Sequence, residues 1–317
     1  MLDIIDGVLA AVDDGRRVVL AVVARTWSSS PRPVGSAMAV LDDGSALGSV
    51  SGGCVEGDVF ARAADLVEPE LVHYGVSDDD AFAVGLPCGG ALDVLLRPLD
   101  ADLTRRLREL ARARDAGRPA RLALELPEGG TVEVAAEEPA HLVIAGASAA
   151  ADALAAQGRL LRMRVTVVDA REAFATPQRL PSADEVVVDW PHRWLGAQAA
   201  AGRVGPTTSL VVLTHDAKFD LPLLELALRL DLGYVGAMGS RRTCAARRES
   251  LRQLGLGERE LARLHAPVGL DLGGRSPAEM ALSIAAELVA VRHGRRGEPL
   301  CRGAGPIHSG HEASVNG

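Results

Sequence analysis

Three observations in this sequence predict an α/β protein of two domains. At 317 residues the chain is long enough for two cores, each able to stand without disulfides. Residues 1–136 mix helical segments with short strands joined by glycine turns, which reads as a mixed α+β domain. From Glu137-Glu138-Pro139 onward apolar strands alternate with helices, the signature of right-handed βαβ units. Residues 137–294 are therefore expected to form a Rossmann-like domain around a doubly wound parallel sheet. Residues 295–317 carry glycine and charge without periodicity, as a disordered tail does.

Residues 2–12 repeat apolar side chains at helical spacing, and 18–23 is a β-branched run that fits a buried strand. The loop Thr26-Trp27-Ser28-Ser29-Ser30-Pro31-Arg32-Pro33-Val34-Gly35 leads into a hairpin, 36–41 and 46–50, around Asp42-Asp43-Gly44. Ser51-Gly52-Gly53 follows, and Cys54 is expected to open a helix reaching about residue 67. Strands at 71–74 and 91–96 bracket the acidic Asp78-Asp79-Asp80 and a second glycine turn, Gly85-Leu86-Pro87-Cys88-Gly89-Gly90. A helix over 101–116 and a hairpin through Glu128-Gly129-Gly130 complete the first domain. In the second domain the expected strands are 142–145, 165–168, 185–188, 210–213 and 233–235, each followed by a helix. The last helix is signalled by Ser276-Pro277-Ala278-Glu279, with a capping serine, proline at the first helical position and glutamate at the third.

Composition narrows the partners. A net charge of −8 and only 3% aromatic residues remove both the electrostatic footprint and the stacking platform of nucleic-acid binders. Met1 to Gly7 holds two aspartates where a signal peptide would be basic, and no uncharged apolar run reaches the ~18 residues of a membrane span. A soluble, cytoplasmic protein is expected. The four cysteines, Cys54, Cys88, Cys244 and Cys301, form no C-x-x-C pair and no zinc-ribbon spacing, which fits reduced thiols. Lys218 is the single lysine in a chain that otherwise uses arginine.

Several groups of residues could carry chemistry. Strand 142–145 runs into Gly146-Ala147-Ser148-Ala149-Ala150-Ala151, and Asp169 ends the next strand 23 residues after Gly146. That is the dinucleotide-fold layout, in which the first glycine permits the tight turn and a strand-end acid bonds ribose hydroxyls. Only the first glycine is kept here, Ser148 stands where a pyrophosphate would approach, and Asp169 reads as a ribose acceptor or as a plain strand-end acid. After strand 233–235, Gly236-Ala237-Met238-Gly239-Ser240-Arg241-Arg242-Thr243 combines a turn, a helix start and two guanidinium groups. Gly239, Ser240, Arg241 and Arg242 are thus a candidate phosphate site, against the reading of a capped surface helix with solvated arginines. Thr214-His215-Asp216 ends strand 210–213 at the edge where open α/β sheets bind ligands. His215 is a candidate ligand contact or acid–base group, Asp216 and Lys218 are candidate cofactor contacts, and a strand cap or a solvated lysine is the bland alternative. In the first domain Gly52 and Gly53 lead to Cys54 at an expected helix start, whose dipole favours the form of a thiol that binds soft metal or carries sulfur. Cys88 sits in the second glycine turn and is a candidate for the same chemistry, whereas Cys244, inside a helix, fits a small apolar filler.

Taken together, Gly48-Ser49-Val50-Ser51-Gly52-Gly53-Cys54-Val55-Glu56, Cys88-Gly89-Gly90, Thr214-His215-Asp216-Ala217-Lys218-Phe219-Asp220, Gly239-Ser240-Arg241-Arg242 and His265-Ala266-Pro267-Val268-Gly269-Leu270-Asp271 resemble the xanthine dehydrogenase accessory proteins of the XdhC/CoxI type. The resemblance runs from the first domain's loop to about Gly294. It implies binding of molybdenum cofactor, as molybdopterin or its dinucleotide form, its protection, and its sulfuration together with a cysteine desulfurase. It further implies insertion into the apoenzyme of a molybdenum hydroxylase such as xanthine or carbon monoxide dehydrogenase. Cys54 and Cys88 are then the candidate molybdenum or sulfur ligands, and the protein is a maturation factor, with room for a homo-oligomer. The family commonly carries a Gly-Ala-Gly-His-Val-Gly type of turn where this chain has Gly146 to Ala151. An NAD(P)-dependent oxidoreductase using His215, and a module that bridges maturation proteins without touching cofactor, are the alternatives.

Overall fold

The computed structural model describes residues 1–27, 32–75 and 90–302. Cys88, Gly89, the Asp78–Asp80 run, Ser28 to Pro31 and residues 303–317 lie outside the described residues. The chain divides into two compact units, with the boundary between Glu138 and Pro139.

The first unit contains α1 (Ile5–Asp13), β1 (Val18–Trp27), β2 (Ala37–Leu41), β3 (Ala46–Gly48), α2 (Glu56–Asp65), β4 (Glu70–Tyr74), β5 (Ala91–Pro98), α3 (Ala101–Asp115), β6 (Ala120–Glu125) and β7 (Thr131–Ala136). Its five-stranded antiparallel sheet has the order β3-β2-β1-β5-β4, and β6 and β7 form a separate hairpin. Strand alternation divides β1 between two cores. Val18, Leu20, Val22 and Ala24 pack with α1, α3 and the β6–β7 hairpin, whereas Val19, Ala21 and Val23 pack with Val55, Val59 and Ala63 at α2. A bulge between Val23 and Arg25 lets β1 run on to Trp27 and turns Arg25 to the side of Asp93. The expected strand ended at residue 23 because its apolar run ends there.

The second unit has the expected Rossmann-like architecture. Its elements are β8 (His141–Ala145), α4 (Ala149–Leu160), β9 (Arg164–Asp169), β10 (Glu185–Val188), α5 (Pro191–Ala200), β11 (Thr208–Val212), α6 (Ala217–Arg229), β12 (Tyr234–Ala237), α7 (Arg241–Gln253), α8 (Glu258–Leu261), β13 (Leu264–His265) and α9 (Pro277–Arg292). The strands are parallel, in the order β10-β9-β8-β11-β12-β13. One face carries a core with α4 and α9, and the other a core with α5 and α6. The direction of the strand order changes between β8 and β11, the switch point outside whose carboxyl ends sheets of this class bind their ligands.

Three expectations are corrected. No helix follows β9: residues 170–184 form turns, since Pro177 and Pro181 interrupt any helix there, and Ala175 and Leu180 reach the core from the turns. A sixth strand, β13, is present, and its two residues are too few to leave a periodic signal. Residues 300–302 of the expected irregular tail form a 3-10 turn. The capping box at Ser276 and Glu279 is as the sequence predicts, with Pro277 opening α9. Among the described residues no helix is long and apolar enough to cross a membrane.

Candidate functional site

The carboxyl edge of the parallel sheet gathers the second unit's candidate residues. Gly146 follows β8 with φ +109°, and a Cβ there would stand 2.5 Å from Thr214 Cγ2 and 3.1 Å from the Thr214 backbone nitrogen. Only glycine lets the β8–α4 turn pass this close to the β11–α6 turn. Ser148 caps α4, its Oγ accepting from the Ala151 N–H at 3.2 Å. Asp169, at the end of β9, is buried and its oxygens are already engaged. They accept from the Ala147 N–H at 2.7 Å, from the Arg171 N–H at 2.9 Å, and from the Arg171 guanidinium at 3.0 and 2.6 Å. Burial pushes this carboxyl up, but the bonds from Arg171 and Ala147 outweigh it and hold Asp169 below the usual carboxylate range. A carboxylate spent in this way fixes the Gly146 turn and leaves Arg171 as the cation at the position expected for a ribose acceptor.

At the next strand end, Asp216 caps α6 by accepting from the Lys218 N–H at 3.1 Å, and the Lys218 ammonium pairs with it at 3.2 Å. His215, Asp216 and Lys218 are all exposed. Behind them lies a pair that sequence reasoning did not single out. Asp220 is buried on α6, accepts from the Thr214 hydroxyl, and meets the Arg247 guanidinium of α7 at 2.6 Å, while Arg247 also donates to the Met238 carbonyl at 3.0 Å. This network ties the loop after β11 to the loop after β12. On the latter, Gly239 leads to Ser240, whose Oγ accepts from the Thr243 N–H at 3.1 Å and caps α7. Arg241 and Arg242 are exposed in the first turn of that helix and make no hydrogen bond or ion pair with any described residue. Two free guanidinium groups beside a helix N-terminus suit a phosphate or another oxyanion.

The glycine turn of the first unit has a different centre from the one expected. The helix α2 begins at Glu56, not at Cys54, because the Glu56 carboxylate folds back over the turn. It accepts from the N–H groups of Val50, Ser51, Gly52, Gly53 and Val55 at 2.8 to 3.2 Å, and from the hydroxyls of Ser49 and Ser51. Gly52 and Gly53, with φ +83° and +119°, give the chain the curvature that aims these donors inward. Burial alone would raise the Glu56 carboxyl, yet its donors hold it far below the usual range. Cys54 is half-buried against the α2 core, and its N–H donates to Ser51 Oγ at 2.9 Å. Cys244 is buried on α7, as expected of a filler. Among the described residues no group of three or more histidine, cysteine, aspartate or glutamate side chains is arranged to hold a metal ion.

On the opposite face of that sheet, Arg25, Asp93 and His73 lie in one row across β1, β5 and β4. The Asp93 carboxylate, itself buried, meets His73 Nδ1 at 2.7 Å and Arg25 at 3.2 Å, while most of the imidazole is exposed. A carboxylate so placed fixes the imidazole's orientation and tautomer. No local motif announces the row, because it needs the bulge in β1 and the pairing of three strands.

Known proteins share this construction. A family model described as the XdhC Rossmann domain matches residues 142–288, and one described as the XdhC and CoxI family matches residues 11–75. The chain is 28% identical over 298 residues to the molybdenum cofactor insertion chaperone PaoD of Escherichia coli, covering 89% of this chain and 86% of that protein. It is 26% identical over 300 residues to the uncharacterized protein YqeB of Escherichia coli, covering 93% of this chain but 47% of that relative, so it spans about half of YqeB. A crystal structure of a xanthine dehydrogenase from Bacillus halodurans superposes with a TM-score of 0.75 at 25% identity, covering 93% of this chain and 96% of that one. With both of its units matched, the chain belongs to the XdhC and CoxI family.

Proposed function

We propose that this chain is a cytoplasmic maturation factor that holds molybdenum cofactor, as molybdopterin or its dinucleotide form. It assists the cofactor's sulfuration with a cysteine desulfurase and its insertion into a molybdenum hydroxylase of the xanthine or carbon monoxide dehydrogenase type. One observation carries this reading: Arg241 and Arg242 stand free on the capped N-terminus of α7, at the carboxyl edge of a doubly wound sheet. Molybdopterin carries a phosphate, and backbone N–H groups with two guanidinium groups are the chemistry that holds one. Family membership and the name of PaoD support the choice of cargo. In the first unit Cys54, seated in its fixed turn, is the group that would meet molybdenum or carry sulfur to it, with Cys88 as the second thiol in the same role. The oxidoreductase alternative is weaker, since the Asp169 oxygens that would take ribose hydroxyls are bonded to Ala147 and Arg171.

Arg241→Ala and Arg242→Ala are each expected to weaken cofactor binding by about 1.5 to 3 kcal/mol, roughly tenfold to a hundredfold, through loss of a charge-assisted bond. Molybdenum and phosphorus analysis of protein from cofactor-producing cells measures this, and unchanged retention in both variants sinks the phosphate site. Cys54→Ala is expected to fold normally and to lose activation of the co-expressed hydroxylase. Wild-type activation by that variant would remove Cys54 from the mechanism.

A further inference from the structure

Beyond β10, residues Asp189 and Trp190 lead into α5 at the same carboxyl edge as Gly146, Asp169 and His215. Trp190 is 37% exposed, whereas Trp194, one turn further along α5, is buried. Its indole rests on the buried Phe219 ring, with centroids 4.9 Å apart and planes tilted by 45°. The Lys218 ammonium stands 4.8 Å from the centre of that Phe219 ring. Aromatic surface is scarce in a chain with 3% aromatic residues, and among the described residues of this unit only Trp190 and Phe174, the latter 40% exposed with Arg171 and Arg179 over its ring, keep much of it open. Beside the indole lies an unsatisfied polar atom. His192 approaches Trp190 edge-on at 5.9 Å, and its Nδ1 is buried without a hydrogen-bond partner, the one such side-chain atom among the described residues. Buried polar atoms are as a rule paired, so this orphan is an exception next to the exposed indole.

We infer that Trp190, backed by Phe219, is the stacking platform for a planar nitrogen heterocycle of the bound cofactor. The chemistry of the setting favours this class of ligand. An indole face binds flat π-systems. The Asp169 oxygens are already bonded to Ala147 and Arg171, and the exposed indole offers this edge a way to recognise a ring. The inference rests on the proposed function for the identity of the ligand, whose heterocycle is a pterin, or a nucleobase in the dinucleotide form.

Trp190→Leu keeps apolar bulk and removes the π-face, while Trp190→Phe keeps a smaller one. Equilibrium binding of three probes decides the matter: molybdopterin released anaerobically from a molybdenum enzyme, CDP, and NAD, each followed by protein fluorescence and by ultrafiltration. Stacking on one ring is expected to make the leucine variant bind on the order of tenfold more weakly, with the phenylalanine variant close to wild type. A loss confined to molybdopterin identifies the pterin, and a loss shared with CDP identifies the nucleobase. Equal affinities of wild type and Trp190→Leu for every probe that binds would overturn the inference while leaving the phosphate site standing. Failure of the wild-type protein to bind any probe rejects the proposed function and the platform together.

Discussion

Replacing Asp220 with alanine is expected to cost the second unit about 3 to 5 kcal/mol of stability, the usual effect of leaving one partner of a buried ion pair alone. Asp220 is 1% exposed and meets Arg247 at 2.6 Å. Burial pushes the Asp220 carboxyl upward, and the Thr214 hydroxyl and the Arg247 charge pull against it. Without Asp220 the guanidinium keeps only the Met238 carbonyl, at a largely buried position. Arg247→Ala is expected to be similarly harmful. The double substitution Asp220→Leu with Arg247→Met should recover most of the loss, because neither charge then remains to be desolvated. Urea unfolding of the wild type and the three variants measures these losses and the recovery. A loss below about 1 kcal/mol for Asp220→Ala would contradict a dry, mutually dependent pair. The same substitution releases the loops after β11 and β12 from each other, so phosphate affinity at Arg241 and Arg242 should fall with it.

Acid is expected to weaken the second unit through His141. This residue is 6% exposed at the start of β8, with Nε2 2.9 Å from the Thr166 hydroxyl and Nδ1 3.3 Å from Arg164. Burial, and then the Arg164 charge, push its pKa down from 6.5 to about 4. Between those values the unfolded chain binds a proton that the folded protein refuses. Stability is therefore complete above pH ~6.5, falls as pH drops toward ~4, and changes no further from this group below that, for a total of about 3 kcal/mol. His141→Gln removes the ionisation. Because carboxylates such as Asp169 add their own acid dependence, the informative quantity is the difference between wild type and variant. That difference should shift by about 2 to 3 kcal/mol in favour of the variant between pH 7.5 and 4.5 in urea unfolding. Parallel pH profiles for the two proteins would mean that His141 titrates alike in the folded and unfolded states, against the burial argument.

The parts legible in the sequence are those set by neighbouring residues. β8, β9 and β11 read as strands because a parallel sheet covered on both faces needs unbroken apolar runs. Ser276 and Glu279 announce α9, and Gly146 announces the turn after β8, because capping and positive φ are local demands on residue type. Positions at strand ends were equally readable, so Asp169, His215, Asp216, Ser240, Arg241 and Arg242 all stand at the carboxyl edge. What each side chain does there depends on its partners, and those come from elsewhere in the chain. Asp169 is spent on Ala147 and Arg171, Lys218 is paired with Asp216, and only Arg241 and Arg242 among these charges remain free. Asp220 meets Arg247 across 27 residues, and the bulge at β1 brings Arg25 to Asp93 across 68. Local patterning determined the elements and their edges, because it acts through backbone geometry and burial. Tertiary structure alone decided which charges are neutralised and which are left for a ligand, because pairing energy depends on distance in space and on the exclusion of water.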